Sequence, residues 1–218
     1  QYNFIYFQSD NHNRDLLGCY GHPQVKTPNL DRIAKRGVCF TNAYAASPVC
    51  CPARAAIATG RFPHQTRFWD NAIVYDGSIQ SWMFRLRESG CEVVSIGKLH
   101  YRSNEDDNGF SEEILPMHIV NKKGGISSLL RSIGEEQFYP GQWELYKDRS
   151  GIGTSYYQDF DKKITEEAIK WLRSKNSKES NKPWVLHVSY PSSHPPFSIS
   201  KSLYEMYPID EISLPPLY

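Results

Sequence analysis

Two adjacent cysteines stand at the start of a predicted short helix, in the stretch "SPVCCPARAAIATGR". Cys50 and Cys51 precede Pro52, a residue favoured in the first helical turn, and Arg54 follows within that turn. The amide groups at a helix N-terminus bind anions, and an arginine there adds a fixed positive charge. The pair is compatible with a redox switch, buried thiols, a metal knuckle or a modified nucleophile. A zinc knuckle is disfavoured, because no second pair of Cys or His occurs elsewhere at ligand spacing.

Three further groups of chemically capable residues follow segments that are predicted to be strands. Asp10 and Asn11 offer a carboxylate and an amide oxygen, the donors that calcium or magnesium prefers. Lys98 and His100 could converge on one anion, and His194, followed by two prolines that hold the chain extended, could protonate a leaving group. Each group alone is also typical of a polar turn, an exposed lysine or a surface histidine. Together with the cysteine motif, they indicate a site that hydrolyses an anionic ester.

These residues must be positioned by strands and helices that alternate along the chain. Short apolar runs predict the strands, and apolar residues at helical spacing predict the helices. Predicted strands cover 3–8, 38–45, 91–97 and 182–191, predicted helices cover 27–37, 52–60, 77–90 and 156–175, and 101–150 is predicted to form long loops with at most one short helix. The alternation favours an α/β fold, a three-layer sandwich around a mostly parallel central sheet. Ligands bind such sheets outside the carboxyl ends of the strands, which selects the loops that begin at Ser9, Ala45, Gly97 and Pro191.

The charge balance and the apolar runs argue against two classes of partner. The 218 residues carry 25 Lys and Arg against 24 Asp and Glu, so no strong field selects nucleic acid or an anionic membrane. The longest apolar runs are far shorter than the roughly 20 residues of a membrane-spanning helix. We therefore expect no nucleic-acid partner and no membrane span, and the sequence leaves assembly into a homo-oligomer open.

A long N-terminal stretch resembles a known enzyme family. The segment "SDNHNRDLLGCYGHPQVKTPNLDRIAKRGVCFTNAYAASPVCCPARAAIATGRFPHQ" resembles the N-terminal part of type I sulfatases, which belong to the alkaline-phosphatase-like superfamily. The motif Cys-x-Pro-x-Arg followed by Thr-Gly-Arg, the later "GKLH" and "SYPSSHPPF" extend the likeness. The branch that it resembles most contains choline-sulfatases and phosphonate monoester hydrolases. The resemblance implies the sulfatase fold of that superfamily.

The resemblance also implies what the cysteine motif does. In the family a maturation enzyme oxidises the first cysteine of the motif to formylglycine, and this cysteine corresponds to Cys50. The hydrated aldehyde attacks sulfur and releases the alcohol, and its second hydroxyl then expels sulfate. The resemblance likewise implies that Arg54 holds the hydrated group in place. Lys98 and His100 would bind the sulfate and offset its charge in the transition state.

Other site residues are assigned by the same resemblance. His194 matches the family's histidine that faces the leaving group, and Asn71, in "FWDNA", matches an asparagine that contacts the sulfate. Asp10, Asn11 and Cys50 fall where the family binds a divalent metal ion. Calcium is expected there, with magnesium or manganese as alternatives, because Asp-Asn carries one negative charge fewer than the Asp-Asp of many sulfatases.

The expected activity is hydrolysis of a sulfate monoester, of a small molecule or a saccharide, to an alcohol and inorganic sulfate. One alternative is hydrolysis of phosphate or phosphonate esters on the same scaffold, although "GKLH" favours sulfate. A second is a non-catalytic binding protein in which Cys50 stays unconverted. A third, a thiol redox protein, is disfavoured because adjacent cysteines lack Cys-x-x-Cys spacing.

Several expectations concern the extent of the chain and its substrate. Nothing after Phe197 resembles the family's C-terminal metal ligands, so residues 1–218 are expected to be the N-terminal part of one catalytic domain, weakly active or inactive alone. The lack of a leader weakly favours a cytoplasmic over a periplasmic location. The acidic run "NEDDNGFSEE" could favour a cationic alcohol, although such runs are usually solvated loops. Aromatic residues at 138–146 could stack on a sugar or aryl group.

Overall fold

The computed structural model describes residues 2–122, 149–175 and 182–212, and the aromatic residues at 138–146 lie outside these ranges. The described helices are α1 Pro28–Arg36, α2 Cys50–Thr59, α3 Pro63–Thr66, α4 Trp82–Glu88, α5 Tyr156–Ser174 and α6 Lys201–Tyr204. The strands are β1 Phe4–Ser9, β2 Glu92–Lys98, β3 Glu112–Met117, β4 Gly151–Ile152, β5 Trp184–Tyr190 and β6 Ser198–Ile199. None of the helices within these ranges is long and apolar enough to cross a membrane.

The main sheet has four strands in the order β1-β5-β2-β3, and every neighbouring pair is parallel. Strands β4 and β6 form a separate parallel pair. Because all four main strands run the same way, their carboxyl ends lie at one edge of the sheet. The predicted parallel α/β sheet is therefore confirmed.

Helices cover both faces of the sheet, and the strand residues alternate between the two faces. Val93 of β2 and Val185 of β5 pack into a core with α2 and α4, where Met83 and two alanines of α2 are buried. Val94, Ile96, Leu186 and Val188 face the other way and pack against the apolar stripe of α5, which consists of Phe160, Ile164, Ala168 and Trp171. This arrangement is the predicted three-layer sandwich.

Two predictions about strands were wrong. Residues 38–45 form a loop, so Ala45 does not end a strand, and the apolar side chains of Val38 and Phe40 are exposed. Conversely, 101–150 contains β3, which pairs with β2 although its sequence "EEILPM" includes a proline and shows little alternation. The register of the pairing shifts between Ile96 and Lys98, as at a β-bulge.

Two further predictions need adjustment. The helix predicted at 77–90 begins only at Trp82, because the Ser81 hydroxyl accepts a hydrogen bond from the Phe84 amide and so caps it. Strand β1 exists but is not a buried strand. It is the outer strand on its side of the described sheet, and Phe4 and Phe7 are largely exposed.

Candidate active site

Most of the predicted site residues lie at the ends of strands, at the carboxyl edge of the sheet. Asp10 follows β1, Lys98 is the last residue of β2, and His194 lies in the loop after β5. Cys50 is the first residue of α2, and this helix packs against the sheet. The parallel strand directions thus collect residues that are far apart in sequence.

A buried cluster of charges lies at the centre of the site. Asp10 Oδ2 is 2.9 Å from Arg54 Nη2 and 2.8 Å from Lys98 Nζ, and the three side chains are 9%, 4% and 0% exposed. Arg54 is fixed further by hydrogen bonds from Nη1 to the Lys98 carbonyl and to the Ser189 hydroxyl. Two cations against one carboxylate leave a local charge of +1. Such a cluster suits a bound anion.

The two cations also control the protonation of the carboxylate. Burial would raise the pKa of Asp10, but the charges and hydrogen bonds of Lys98 and Arg54 outweigh it, so the pKa is lowered. Asp10 is therefore ionised at neutral pH. Its neighbour Asn11 has an exposed side chain and a left-handed backbone, with φ of 56°.

The adjacent cysteines differ in burial and in charge. Cys51 is buried, and the hydrogen bond between the two thiols, followed by burial, raises its pKa. The same thiol–thiol hydrogen bond is the largest influence on Cys50, and together with His100 and Lys98 it outweighs burial and lowers the pKa of Cys50 to about 3. Cys50 is half-buried. Of the two thiols, Cys50 is therefore the one that loses its proton more readily.

Asn71 ties the beginning of α2 to the loop before α4. Its Oδ1 accepts a hydrogen bond from the Cys51 amide at 3.1 Å and lies 3.4 Å from Cys50 Sγ. One side-chain oxygen therefore caps a free amide of the helix and also contacts the predicted nucleophile. The structure thus places Asn71 beside Cys50.

His100 reaches the thiol from the end of β2. Its backbone is left-handed, with φ of 53°, and its amide donates to the Met117 carbonyl at 2.8 Å. Burial lowers the pKa of the imidazole, although the thiol of Cys50 acts in the opposite direction. His100 is therefore neutral at pH 7 and adds no charge to the cluster.

His194 has one nitrogen fixed and one free for chemistry. Its Nδ1 lies 2.8 Å from the Pro195 carbonyl, which can only accept, so Nδ1 carries a proton. The ring meets the edge of Tyr157, with the two ring centroids 5.7 Å apart and the planes at 86°. Sequence reasoning missed Tyr157, which lies in the first turn of α5 beside the apolar stripe. Burial, then the charges of Asp10 and Cys50, raise the pKa of Tyr157.

The residues fit two kinds of cation to different degrees. Asp10 and Asn11 provide hard oxygen donors, two of the six to eight that calcium takes. Within the described ranges, one group of three soft donors also lies together, Cys50, Cys51 and His100, whose ligand atoms are within 4.8 Å of one another. Arg54 and Lys98 lie beside both donor groups and contact Asp10 Oδ2 directly, so the two groups differ in the hardness of their donors and not in the charge around them. The donor set of Asp10 and Asn11 therefore fits as part of a shell for calcium, magnesium or manganese.

The acidic run "NEDDNGFSEE" is largely occupied by ion pairs. Asp106 binds Arg102, Asp107 pairs with Arg87 at 2.7 Å, and Glu105 contacts Lys122. These contacts stabilise the loop between β2 and β3. The run therefore gives no support to a site for a cationic alcohol.

Comparisons with known proteins agree with the geometry. The family model described as Sulfatase matches residues 2–213. The choline-sulfatase of Rhizobium meliloti (strain 1021) is 31% identical over 191 residues, which are 84% of this chain and 36% of the relative. The phosphonate monoester hydrolase of Agrobacterium radiobacter has a similar structure, with a TM-score of 0.69 and 25% identity over 95% of this chain and 44% of its own.

A further solved structure contains its substrate, D-glucosamine-2-N,6-O-disulfate. It is 30% identical with a TM-score of 0.62, and the match covers 88% of this chain and 34% of that chain. The chain thus spans between about a third and less than half of the length of these three proteins.

Proposed function

The chain belongs to the sulfatase family, and we propose that the full-length protein hydrolyses sulfate monoesters to an alcohol and inorganic sulfate. The observation that carries the proposal is the buried group of Asp10, Arg54 and Lys98 beside the first residue of α2. The positive charge of these side chains, +1 before any metal ion is bound, attracts the single negative charge of a sulfate monoester. Arg54 and Lys98 hold the sulfate oxygens and offset the charge that develops on them.

Cys50 is the proposed nucleophile position. Conversion to formylglycine would supply, as the hydrate, a hydroxyl group for attack on sulfur. Asn71 fixes the position of residue 50 through Oδ1, which also accepts the amide hydrogen of Cys51. His100, neutral and half-buried beside residue 50, can accept a proton from it.

Asp10 and Asn11 would hold a divalent cation, which supplies further positive charge at the sulfate. Because the pKa of Asp10 is lowered, its carboxylate is available in charged form at neutral pH. Calcium is the proposed ion, since both donors are hard oxygens. Arg54 and Lys98 keep the carboxylate in place through contacts to Oδ2.

His194 is the proposed proton donor to the alcohol. Its Nδ1 hydrogen donates to the Pro195 carbonyl, so the neutral ring has no proton on Nε2. The ring therefore gives a proton to the departing oxygen from Nε2 only when it is the imidazolium. After the transfer the alcohol is neutral and His194 is again a neutral imidazole.

Hydrolysis of a phosphonate or phosphate ester is the second candidate, because the phosphonate monoester hydrolase shares this fold. A phosphonate monoester carries one negative charge, as a sulfate monoester does, so the charge of the cluster does not separate these two substrates. The rival is tested by comparing kcat/KM for 4-nitrophenyl sulfate and 4-nitrophenyl phenylphosphonate. A higher value for the phosphonate would favour the rival.

The test of the proposal uses the full-length protein produced together with a maturation enzyme. Mass spectrometry of the peptide that contains both cysteines should find formylglycine at Cys50 and an unmodified thiol at Cys51. Cys50→Ala should lower kcat for 4-nitrophenyl sulfate by more than about 10³-fold. Cys39→Ser, which changes an exposed cysteine, is the control and should leave kcat unchanged. Undiminished turnover by Cys50→Ala would refute the proposal.

A further inference from the structure

A second feature of the molecule is a cavity of about 650 Å³ beside the site. It lies between the first turn of α5 and the loop that follows β5. Residues of Arg149–Tyr157 line one wall, and residues of His194–Ser198 line the other. Strands β4 and β6 join the two walls, and the Ser198 hydroxyl donates to the Arg149 carbonyl at 2.7 Å.

The cavity begins at the residues that face the leaving group. His194 and Tyr157 line it, and their rings are in edge-to-face contact. Tyr157 also lies within electrostatic range of Asp10 and Cys50. An ester whose sulfate occupies the charge cluster would therefore place its alcohol part in this cavity.

The lining indicates what kind of alcohol fits. Tyr156, which is 71% exposed, and Tyr157 offer aromatic surfaces, and Ser150, Thr154 and Ser155 offer hydroxyl groups among the lining residues. Sugar rings bind to such surfaces, because their C–H faces pack on aromatic rings and their hydroxyls form hydrogen bonds.

The charge of the lining residues limits the kinds of alcohol that the cavity can bind. Arg149 is exposed and lines the cavity, and no Asp or Glu occurs among the described residues that line it. A cationic alcohol such as choline would meet a positive charge without a compensating carboxylate. A carboxylate or a second sulfate would form a charge-assisted, bidentate contact with the guanidinium.

We propose that this cavity binds a saccharide ring that carries a second anionic group, with the two tyrosines against the ring and Arg149 paired with the anion. The inference rests on the proposed function and names the substrate class of the same site. The substrate of the matched structure, a disulfated glucosamine, has this chemistry.

The test compares two sugars, N-acetylglucosamine 6-sulfate and glucosamine-2-N,6-O-disulfate, which carry a neutral amide and a second anion, respectively, at the 2-position. 4-Nitrophenyl sulfate, whose alcohol part is small and uncharged, is the reference. In the matured full-length protein, Arg149→Gln should lower kcat/KM for the disulfate about tenfold, mainly through KM. It should change the values for the monosulfate and for 4-nitrophenyl sulfate less than twofold. Lys201→Gln removes an exposed cation on α6 and should change none of them.

A second pair of measurements separates binding from catalysis. The inactive Cys50→Ala protein should bind the disulfate in calorimetry, and adding Tyr156→Ala or Arg149→Gln should weaken this binding about tenfold. Equal losses for both sugars with Arg149→Gln, unchanged binding in both variants, or a preference for choline sulfate would overturn the inference. Those results would leave the proposed function intact if 4-nitrophenyl sulfate is hydrolysed. Failure to hydrolyse any sulfate ester would overturn both.

Discussion

His187, a histidine in the middle of β5, should make the fold sensitive to acid. It is 3% exposed, and its ring stacks on Tyr6, with the centroids 4.8 Å apart, and lies nearly parallel to Phe110. Its Nε2 is 3.0 Å from Gln8 Oε1, whereas Nδ1 is buried without a partner among the described residues. Burial, with the charge of Arg54 added, lowers the pKa of His187 to about 3. The folded protein therefore keeps this ring neutral.

The size of the effect follows from the difference between the two pKa values. In the unfolded chain the ring has its ordinary pKa of 6.5, so between pH 6.5 and about 3 the unfolded state binds one more proton. Stability is fully present above pH 6.5 and falls by about 1.4 kcal/mol for each pH unit below it. Between pH 7.5 and pH 5 this amounts to about 2 kcal/mol, a large part of a typical total of about 5–15 kcal/mol.

Urea unfolding at pH 7.5 and pH 5 measures this contribution. His187→Phe keeps the flat stacked ring and removes the titrating group, so the stability of the wild type relative to the variant should fall by about 2 kcal/mol between the two pH values. His64→Phe changes an exposed histidine that stacks on Phe62 and is the control. Equal pH dependence in the wild type and His187→Phe would refute the reasoning.

Two other substitutions test the site's framework. Asp10→Asn leaves the two buried cations Arg54 and Lys98 without their counter-charge and should lower the free energy of unfolding by about 3–5 kcal/mol. Thermal unfolding in excess chelator measures this loss. The control Asp15→Asn changes an exposed carboxylate and should alter the free energy of unfolding by less than about 0.5 kcal/mol. Gly97→Ala would place a Cβ 2.3 Å from the Ser189 carbonyl oxygen, at a residue whose φ is +99°. It should therefore lower the free energy of unfolding by clearly more than Gly21→Ala, because residue 21 also has a positive φ but its Cβ would meet open space. Equal losses would show that backbone strain alone matters.

The sequence predicted those parts of the fold whose signals are local. The apolar stripe of α5 and the apolar run of β5 are visible within a single window of residues. Strand β3 was missed because its pairing with β2 depends on distant partners and not on its own composition. Residues 38–45 have strand-like composition, but no strand partner is found for them among the described residues.

The sequence indicated candidate site residues but not the contacts between them. Polar residues after strands indicated Asp10, Lys98 and His194, because parallel strands end at one edge. No local pattern could show that Asp10 contacts both Arg54 and Lys98, since these contacts join residues from three elements. Tyr157 was hidden for a related reason, because its role depends on how α5 packs against the loop of His194.

The difference between the two adjacent cysteines follows from the geometry of α2. Successive helical residues are rotated by about 100°, so neighbours face different directions, while residues four apart share a face. Cys50 shares its face with Arg54, which contacts Asp10, and Cys51 shares its face with Ala55, which is fully buried in the core. Positions 50 and 54 therefore carry the side chains of the candidate site, whereas position 51 faces the core and requires a small side chain.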